Sequence, residues 1–210
     1  MNIFDKKYRE YDEWYEKNRF LFLSEAAAVK KAMPKKGRFL EIGAGTGRFA
    51  EILGIKEGID ISKNMLKAAR ARGIRTVCAP AENLPFEDGV FDCVVFIVTL
   101  CFVKDPEKAL NEAYRVLKSG GIVIAAVIDK NSRIGKKCRN KKSVFYENAA
   151  FFTAAEIKKM LKNAGFNVDK TYRTLFAGND NRKIIQKAVR GSGKGSFVVI
   201  SAEKGENGYG

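Results

Sequence analysis

The sequence predicts an α/β protein, a mostly parallel sheet with helices on both faces, and three observations predict it. Short apolar runs alternate with capped, amphipathic segments from residue 39 to residue 128. One of those runs, FDCVVFIV at 91–98, is apolar at nearly every position, as strands buried on both faces are. A glycine cluster, FLEIGAGTGRFA at 39–50, stands where the first strand passes into the first helix of the alternation. Sheets of this kind bind ligands at the carboxyl ends of their strands, near the switch in strand order.

The elements follow in order. Residues 1–36 read as a helical cap, with Phe4, Tyr8, Tyr11 and Tyr15 on one helical stripe and Trp14 beside it. Residues 39–42 form a short apolar strand and 48–53 a helix. A second strand at 58–61 precedes SKNMLKAARARG, in which Ser62 is placed to cap a helix and Gly73 to end it. Residues 75–79 give a third strand and 91–98 the fourth. Asp105 caps PEKALNEAYRVLK, with Pro106 at the first helical position and Ala109, Leu110, Ala113, Val116 and Leu117 as the apolar stripe. Gly120 and Gly121 are expected to stop that helix before a fifth strand at 122–127. A helix over 153–164 is capped by Thr153, with Glu156 three residues on. Two late strands, 166–175 and 197–202, flank a segment rich in Lys, Arg and Gly.

No internal repeat or low-complexity tract interrupts this order, so residues 1–210 are expected to be one domain. Within it, 1–36 is the cap, 38–128 the cofactor-binding core, and 153–204 the closing helix and strands. Residues 129–152 are too long for an ordinary connection. They carry FYENAAFF, whose aromatics can cover a pocket while the neighbouring lysines stay wet, and a substrate lid is expected there.

Composition narrows the function. The 210 residues are 46% hydrophobic, sufficient for a proper core, and no apolar run approaches the roughly 18 residues a membrane helix needs. The amino terminus is charged and aromatic, unlike a secretory signal. Cys78, Cys93, Cys101 and Cys138 include no CxxC pair, which predicts reduced, buried thiols and a cytoplasmic protein without a metal site. There is no histidine, which excludes an imidazole base, a histidine triad or a histidine-bound metal. The net charge of +15 is uneven: residues 129–150 carry seven cations against two acids. Such a field suits nucleic acid or acidic partners, and also suits a lysine-rich solubilising surface.

The glycine cluster asks what the backbone must approach. Gly43, Gly45 and Gly47 stand in a GxGxG spacing, not the GxGxxG of dinucleotide sites, and the P-loop spacing is absent. GSGKGS at 191–196 has Gly195 where a P-loop needs Ser or Thr, and reads as a turn. Asp60 ends the second strand, where a carboxylate can accept hydrogen bonds from both hydroxyls of a ribose. On the third, APAENLPF offers the Ala81 backbone and the Glu82 carboxylate to an adenine edge, with Ile61 and Leu84 as apolar faces.

Taken together, FLEIGAGTGRFA, GIDISKNMLKAA, APAENLPFEDGVFDCVVF and DPEKALNEAYRVLKSGG resemble the successive motifs of class I S-adenosylmethionine-dependent methyltransferases, across residues 38–128. Within that class the chain is most similar to the small-molecule group that includes ubiquinone and menaquinone biosynthesis enzymes. The resemblance implies a Rossmann-like, seven-stranded sheet whose last strand is antiparallel. It implies that Gly43, Ala44 and Gly45 pass beneath the methionine portion of S-adenosylmethionine, and that Glu41 orients that loop or the cofactor's amino group. It further implies that Asp60 holds the ribose hydroxyls and Ile61 lies against adenine. Ala81 and Glu82 would meet the adenine edge, the Phe96 backbone would face the methionine end, and Tyr11 and Met65 would complete the cofactor contacts.

The implied reaction is methyl transfer to a small acceptor, anionic or aromatic, leaving S-adenosylhomocysteine. Aligning the acceptor can supply roughly 7–11 kcal/mol of the barrier, and a base is needed only for a protonated acceptor. Many relatives carry a histidine just after strand four, where this chain has VTLCFVKD, so the base candidates are Tyr11, Tyr146, Asp129 and Glu147. Cys101 follows Leu100 rather than the Pro of cysteine-adduct methyltransferases, and is expected to be an apolar filler. Two other readings stay open: an RNA methyltransferase gripping phosphate with the basic segments, and an S-adenosylmethionine-binding module without catalysis. The oligomeric state is not encoded in any motif.

Overall fold

The computed structural model describes residues 3–140, 144–177, 183–191 and 193–205. Its sheet runs β3 (Arg75–Cys78), β2 (Glu57–Asp60), β1 (Phe39–Ile42), β4 (Phe91–Ile97), β5 (Leu117–Ile128), β8 (Phe197–Lys204), β6 (Phe166–Thr174) and β7 (Val189–Arg190). The first five of these are parallel, whereas β8 is antiparallel to both β5 and β6. The fold is therefore the α/β, mostly parallel sheet expected. To its seven strands the structure adds β7, two residues pairing with Tyr172 and Arg173 of β6.

Alternation along β4 divides the core. Val94 and Phe96 face one side, where α6 (Pro106–Val116) and α8 (Ala154–Asn163) cover the sheet with Leu110, Ala113, Ile157 and Leu161. Cys93, Val95 and Ile97 face the other, covered by α3 (Arg19–Ala32), α4 (Arg48–Leu53) and α5 (Lys63–Ala71). Strand residues buried on both faces explain the unbroken apolar runs.

The three predicted caps are present. The Ser62 hydroxyl accepts from the Met65 N–H, and the Asp105 carboxylate accepts from Lys108 with Pro106 following it. Thr153 and Glu156 form a reciprocal capping box.

Three boundaries differ. The amino-terminal stripe is not one helix: it breaks at Lys7 into α1 (Ile3–Lys6) and α2 (Tyr8–Lys17). The helix before β5 ends at Val116, and Gly120 and Gly121 lie inside β5, where its register against β4 shifts between Phe91 and Cys93. Gly120 takes φ +69° there, and a Cβ on Gly121 would come within 2.8 Å of the Lys118 carbonyl oxygen, so both glycines serve the irregularity. Finally, 129–152 contains a helix, α7 (Arg133–Asn140).

Candidate active site

The crevice lies where β1, β2 and β4 end, at the point where strand order reverses. Gly43, Gly45 and Gly47 take φ of +73°, +53° and +81°, the left-handed region that excludes most side chains. Space is equally restrictive: a Cβ on Gly43 would overlap the side chain of Thr99. Four of the loop's N–H groups are turned inward. Gly43 and Ala44 both donate to the Ile59 carbonyl, at 2.9 and 2.8 Å, Gly47 donates to the Ala44 carbonyl at 2.8 Å, and Gly45 donates to Asp60 Oδ2 at 3.0 Å. A phosphate cradle needs such groups free. This loop is not one.

Asp60 therefore braces the loop, and its other oxygen, Oδ1, accepts from Ser62 N–H at 2.8 Å. Burial raises its pKa, against which these backbone N–H groups act. Each carboxylate oxygen keeps a second lone pair. Ile61, the next residue, is 59% exposed at the tip of β2, while Ala81 and Leu84 are buried.

Glu41, one strand over, is buried, and its Oε2 has no hydrogen-bond partner. Burial raises its pKa well above the carboxylate range; the Ala50 N–H opposes this and the charge of Asp60 adds to it. Together with Tyr11, Tyr15, Gly43, Ala44, Arg48 and Ile97, Glu41 lines a cavity of ≈ 10 Å³, room for about one water. Met65, buried in the first turn of α5, and Tyr11, on α2, both face Gly45 closely enough that a Cβ there would stand 3.9 Å from the Met65 sulfur and 3.7 Å from the Tyr11 ring.

Two segments roof this crevice. Asp5 of α1 accepts from the Ser62 hydroxyl (2.7 Å) and the Asn64 N–H (3.0 Å), fixing α1 to the start of α5. Asp12 of α2 takes Arg48 Nε and Nη2 on its two oxygens, at 2.9 and 2.7 Å, and Arg72 Nη2 at 2.9 Å. Arg48 also pairs with Glu16. The second roof comes from 144–152, where Ala150 N–H donates to the Cys101 carbonyl at 2.8 Å. The two meet ring to ring: Phe145 stands 5.6 Å from Phe4 and 5.9 Å from Tyr11, and Tyr146 stacks on Phe102 at 6.1 Å. Beneath them Val98 takes φ +53°, rare for a β-branched residue, as the chain turns off β4 towards Thr99.

Other expected site residues are placed differently. Glu82 Oε1 accepts from the N–H groups of Lys104 and Asp105, at 3.1 and 3.2 Å, and so braces the approach to α6. Phe96 is fully buried with β1 and β5 paired on either side of it, and the residue at the cavity is Ile97. Asp129 is engaged by the N–H groups of Asn131 and Ala154 and lies 3.7 Å from Arg173. Glu147 is exposed. Burial raises the phenols of Tyr11 and Tyr146 above their ordinary range, so both stay protonated at neutral pH and can donate a hydrogen bond. Cys101 is buried, its thiol pushed up to about 12 by burial, as a filler would be. Cys78 is exposed and Cys138 half-buried, so the expectation of buried thiols holds for Cys93 and Cys101 alone. Among the described residues no acid, cysteine or histidine cluster could hold a metal, and no helix is long and apolar enough to cross a membrane.

Comparison with known proteins decides the family. A family model described as a methyltransferase domain matches residues 40–125. An S-adenosylmethionine-dependent methyltransferase of Thermotoga maritima, described as a possible histamine N-methyltransferase, has a crystal structure that superposes with a TM-score of 0.93. That protein is 44% identical, over 96% of this chain and 98% of its own. The chain belongs to the S-adenosylmethionine-dependent methyltransferases. An uncharacterized protein of Methanocaldococcus jannaschii is 47% identical over 207 residues, covering 97% of this methyltransferase and the whole of that protein. A ubiquinone/menaquinone biosynthesis C-methyltransferase of Vibrio cholerae is 36% identical over 108 residues, which are 44% of this chain and 42% of that one.

The residues present fit S-adenosylmethionine. It carries an ammonium and a sulfonium but no phosphate, which suits a loop whose N–H groups are turned inward. The unpartnered Glu41 Oε2 suits an ammonium. The structure also brings residues to this crevice that the sequence does not announce. Asp12, Arg48 and Arg72 stand far apart in the chain, and no spacing announces their contact. Nothing local in the sequence ties Thr99 to Gly43, which it meets only in the fold.

Proposed function

We propose that this enzyme methylates a small-molecule acceptor held between the crevice floor and the two aromatic roofs. In this reading Gly43, Ala44 and Gly45 lie beneath the methionine portion of the cofactor and Glu41 accepts from its ammonium group. Asp60 accepts from the ribose hydroxyls, with Ile61 and Leu84 against the adenine and Ala81 at its edge. Tyr11 and Met65 close over the loop, and the backbone at Ile97, next to Phe96, borders the methionine end. Residues 1–36 and 129–152 act as cap and lid. When bound, the cofactor supplies a methyl group already activated on sulfur. The protein's part is to exclude water, fix direction and hold the acceptor in line.

One observation carries the small-molecule reading. The acceptor side is closed by rings from two segments, with Phe4, Tyr11, Phe102, Phe145 and Tyr146 within ring-contact distance of one another, whereas Lys136, Lys137 and Arg139 are exposed on the outside of α7. A strand of RNA gripped by those cations would not reach the sulfonium without displacing both roofs. The small-molecule character of the acceptor named for the Thermotoga relative points the same way. The test is transfer of labelled methyl groups from S-adenosylmethionine into a cell extract, then fractionation. Label in the small-molecule pool is expected; label in RNA, with binding that weakens steeply in salt, would overturn the reading. No transfer into any fraction, with the cofactor still bound, would favour a binding module.

A further inference from the structure

The segment between β6 and β8 takes no part in the crevice, and its burial runs against its chemistry. Gln186 is buried, whereas Ile184 and Ile185 just before it are 46% and 52% exposed and Val189 after it is 54% exposed. Single exposed apolar side chains are ordinary, but eight large ones are exposed among the described residues and three of them fall in these six positions. The arrangement is held, not frayed. Gln186 N–H donates to Ser24 Oγ at 2.9 Å, its carbonyl accepts from the Thr174 hydroxyl at 3.2 Å, and its Oε1 accepts from Phe176 N–H at 2.8 Å. Lys31 Nζ donates to the Ala188 carbonyl at 3.1 Å, and β7 pairs with β6. The backbone is thus fixed with its polar residue inward and its isoleucines in water. Charge surrounds them: residues 183–194 carry Lys183, Lys187, Arg190 and Lys194, all exposed, and no acid.

The segment also has a fixed place relative to the crevice. Thr174 pairs with Phe197, and Phe197 with Ile128, so Gln186 and its neighbours lie at the carboxyl end of β5. That is the end of the sheet where the crevice opens. α7 follows β5 at the same end, with Lys136, Lys137 and Arg139 exposed and Gly135 packed on the Asp129 carbonyl. We infer that this rim is a docking surface for an anionic lipid bilayer. Ile184, Ile185 and Val189 enter the boundary between headgroups and acyl chains, and the cations beside them take the lipid phosphates. The occupant must be apolar and negative within the reach of one segment, as a bilayer interface is. A second copy of the chain would bring four cations against four. Nucleic acid would leave the isoleucines wet, and residues 183–194 hold no aromatic ring on which a base could stack. Docked this way, the protein presents the crevice end of its sheet to the membrane. The inference concerns a surface outside the crevice and holds whatever the acceptor is.

The test is sedimentation of the full chain with vesicles of phosphatidylcholine, with or without roughly one third phosphatidylglycerol. Binding to the anionic vesicles is expected, at least tenfold tighter than to the neutral ones and weakening as salt is added. Ile184→Ser with Ile185→Ser should lower that partitioning at least tenfold. The melting temperature and the S-adenosylmethionine Kd should stay at wild-type values, because both side chains are exposed. Lys183→Gln, Lys187→Gln and Lys194→Gln together should lower vesicle binding as much. Lys35→Gln, Lys36→Gln and Lys56→Gln remove the same charge from the opposite end of the sheet, before β1 and β2, and should leave binding within threefold. No binding to anionic vesicles, equal loss from the two lysine sets, or indifference to the isoleucine pair would each overturn the inference. So would self-association or RNA binding that Ile184→Ser with Ile185→Ser abolishes while vesicle binding persists.

Discussion

Asp12 holds the first roof, and replacing it with Asn tests how firmly. Burial acts to raise its pKa, but hydrogen bonds and charge from Arg48 and Arg72 prevail and hold it at about 2 rather than 3.8. That difference corresponds to about 2.5 kcal/mol of preference for the charged, folded form. The side chain is 22% exposed and its partners 18% and 20%, so solvent screening reduces the usable part to about 1–1.5 kcal/mol. Arg48 keeps Glu16 and Arg72 keeps Glu51 after the substitution, so neither cation is orphaned and the larger penalty of a broken buried pair does not apply. For a domain of this size the expected fall in Tm is about 3–5 °C at pH 7. The sign of the pH dependence follows from a depressed pKa. The stabilisation is fully present above the unfolded pKa near 4 and is lost as pH falls through about 2. The gap between wild type and Asp12→Asn should therefore close between about pH 5 and pH 2. Urea melts at a series of pH values measure it. A gap that is absent at pH 7, or that persists unchanged at the acid end, would refute the argument. Because Tyr11 rides on the same helix, cofactor dissociation should quicken by up to about tenfold in stopped-flow.

Three further outcomes are expected. Asp60→Ala should weaken S-adenosylmethionine binding at least tenfold by calorimetry; unchanged affinity would contradict the ribose assignment, and Asp60→Asn, which keeps an acceptor for Ser62 or Gly45, separates binding from loop bracing. Gly43→Ala should destabilise by about 1–2 kcal/mol from its φ alone, and by more because Thr99 must move. Gly54→Ala has the same strain, φ +78°, but no neighbour within 4 Å, so the difference between the two variants in urea melts isolates the overlap. Cys101→Ala should keep at least half the methyl-transfer rate, and in the native protein a thiol reagent should modify exposed Cys78 well before Cys101, whose thiol sits at about 12; prior reaction at Cys101 would contradict its role as filler.

The parallel half of the fold was legible because its signals are local. Apolar runs mark β1 to β4, and Ser62, Asp105 and Thr153 cap their helices by groups within three residues. The early start of β5 was not legible, since Gly120 and Gly121 look alike whether they end a helix or shape a bulge. In the site, Gly43, Gly45 and Gly47 could be read because their conformations are their own. Glu82 could not, because its partners, Lys104 and Asp105, lie across a loop.

The inward-turned glycine loop has a consequence for selectivity. Nucleoside phosphates share the adenosine half of the cofactor, and any cell supplies them as competitors. A binding loop that offered them free amides would be occupied by the wrong molecule. Here the competitor's phosphates would meet no donor from Gly43, Ala44, Gly45 or Gly47 and would approach the buried carboxyl of Glu41 instead. In the binding mode proposed above, selection against nucleoside phosphates would be built into the backbone of one turn.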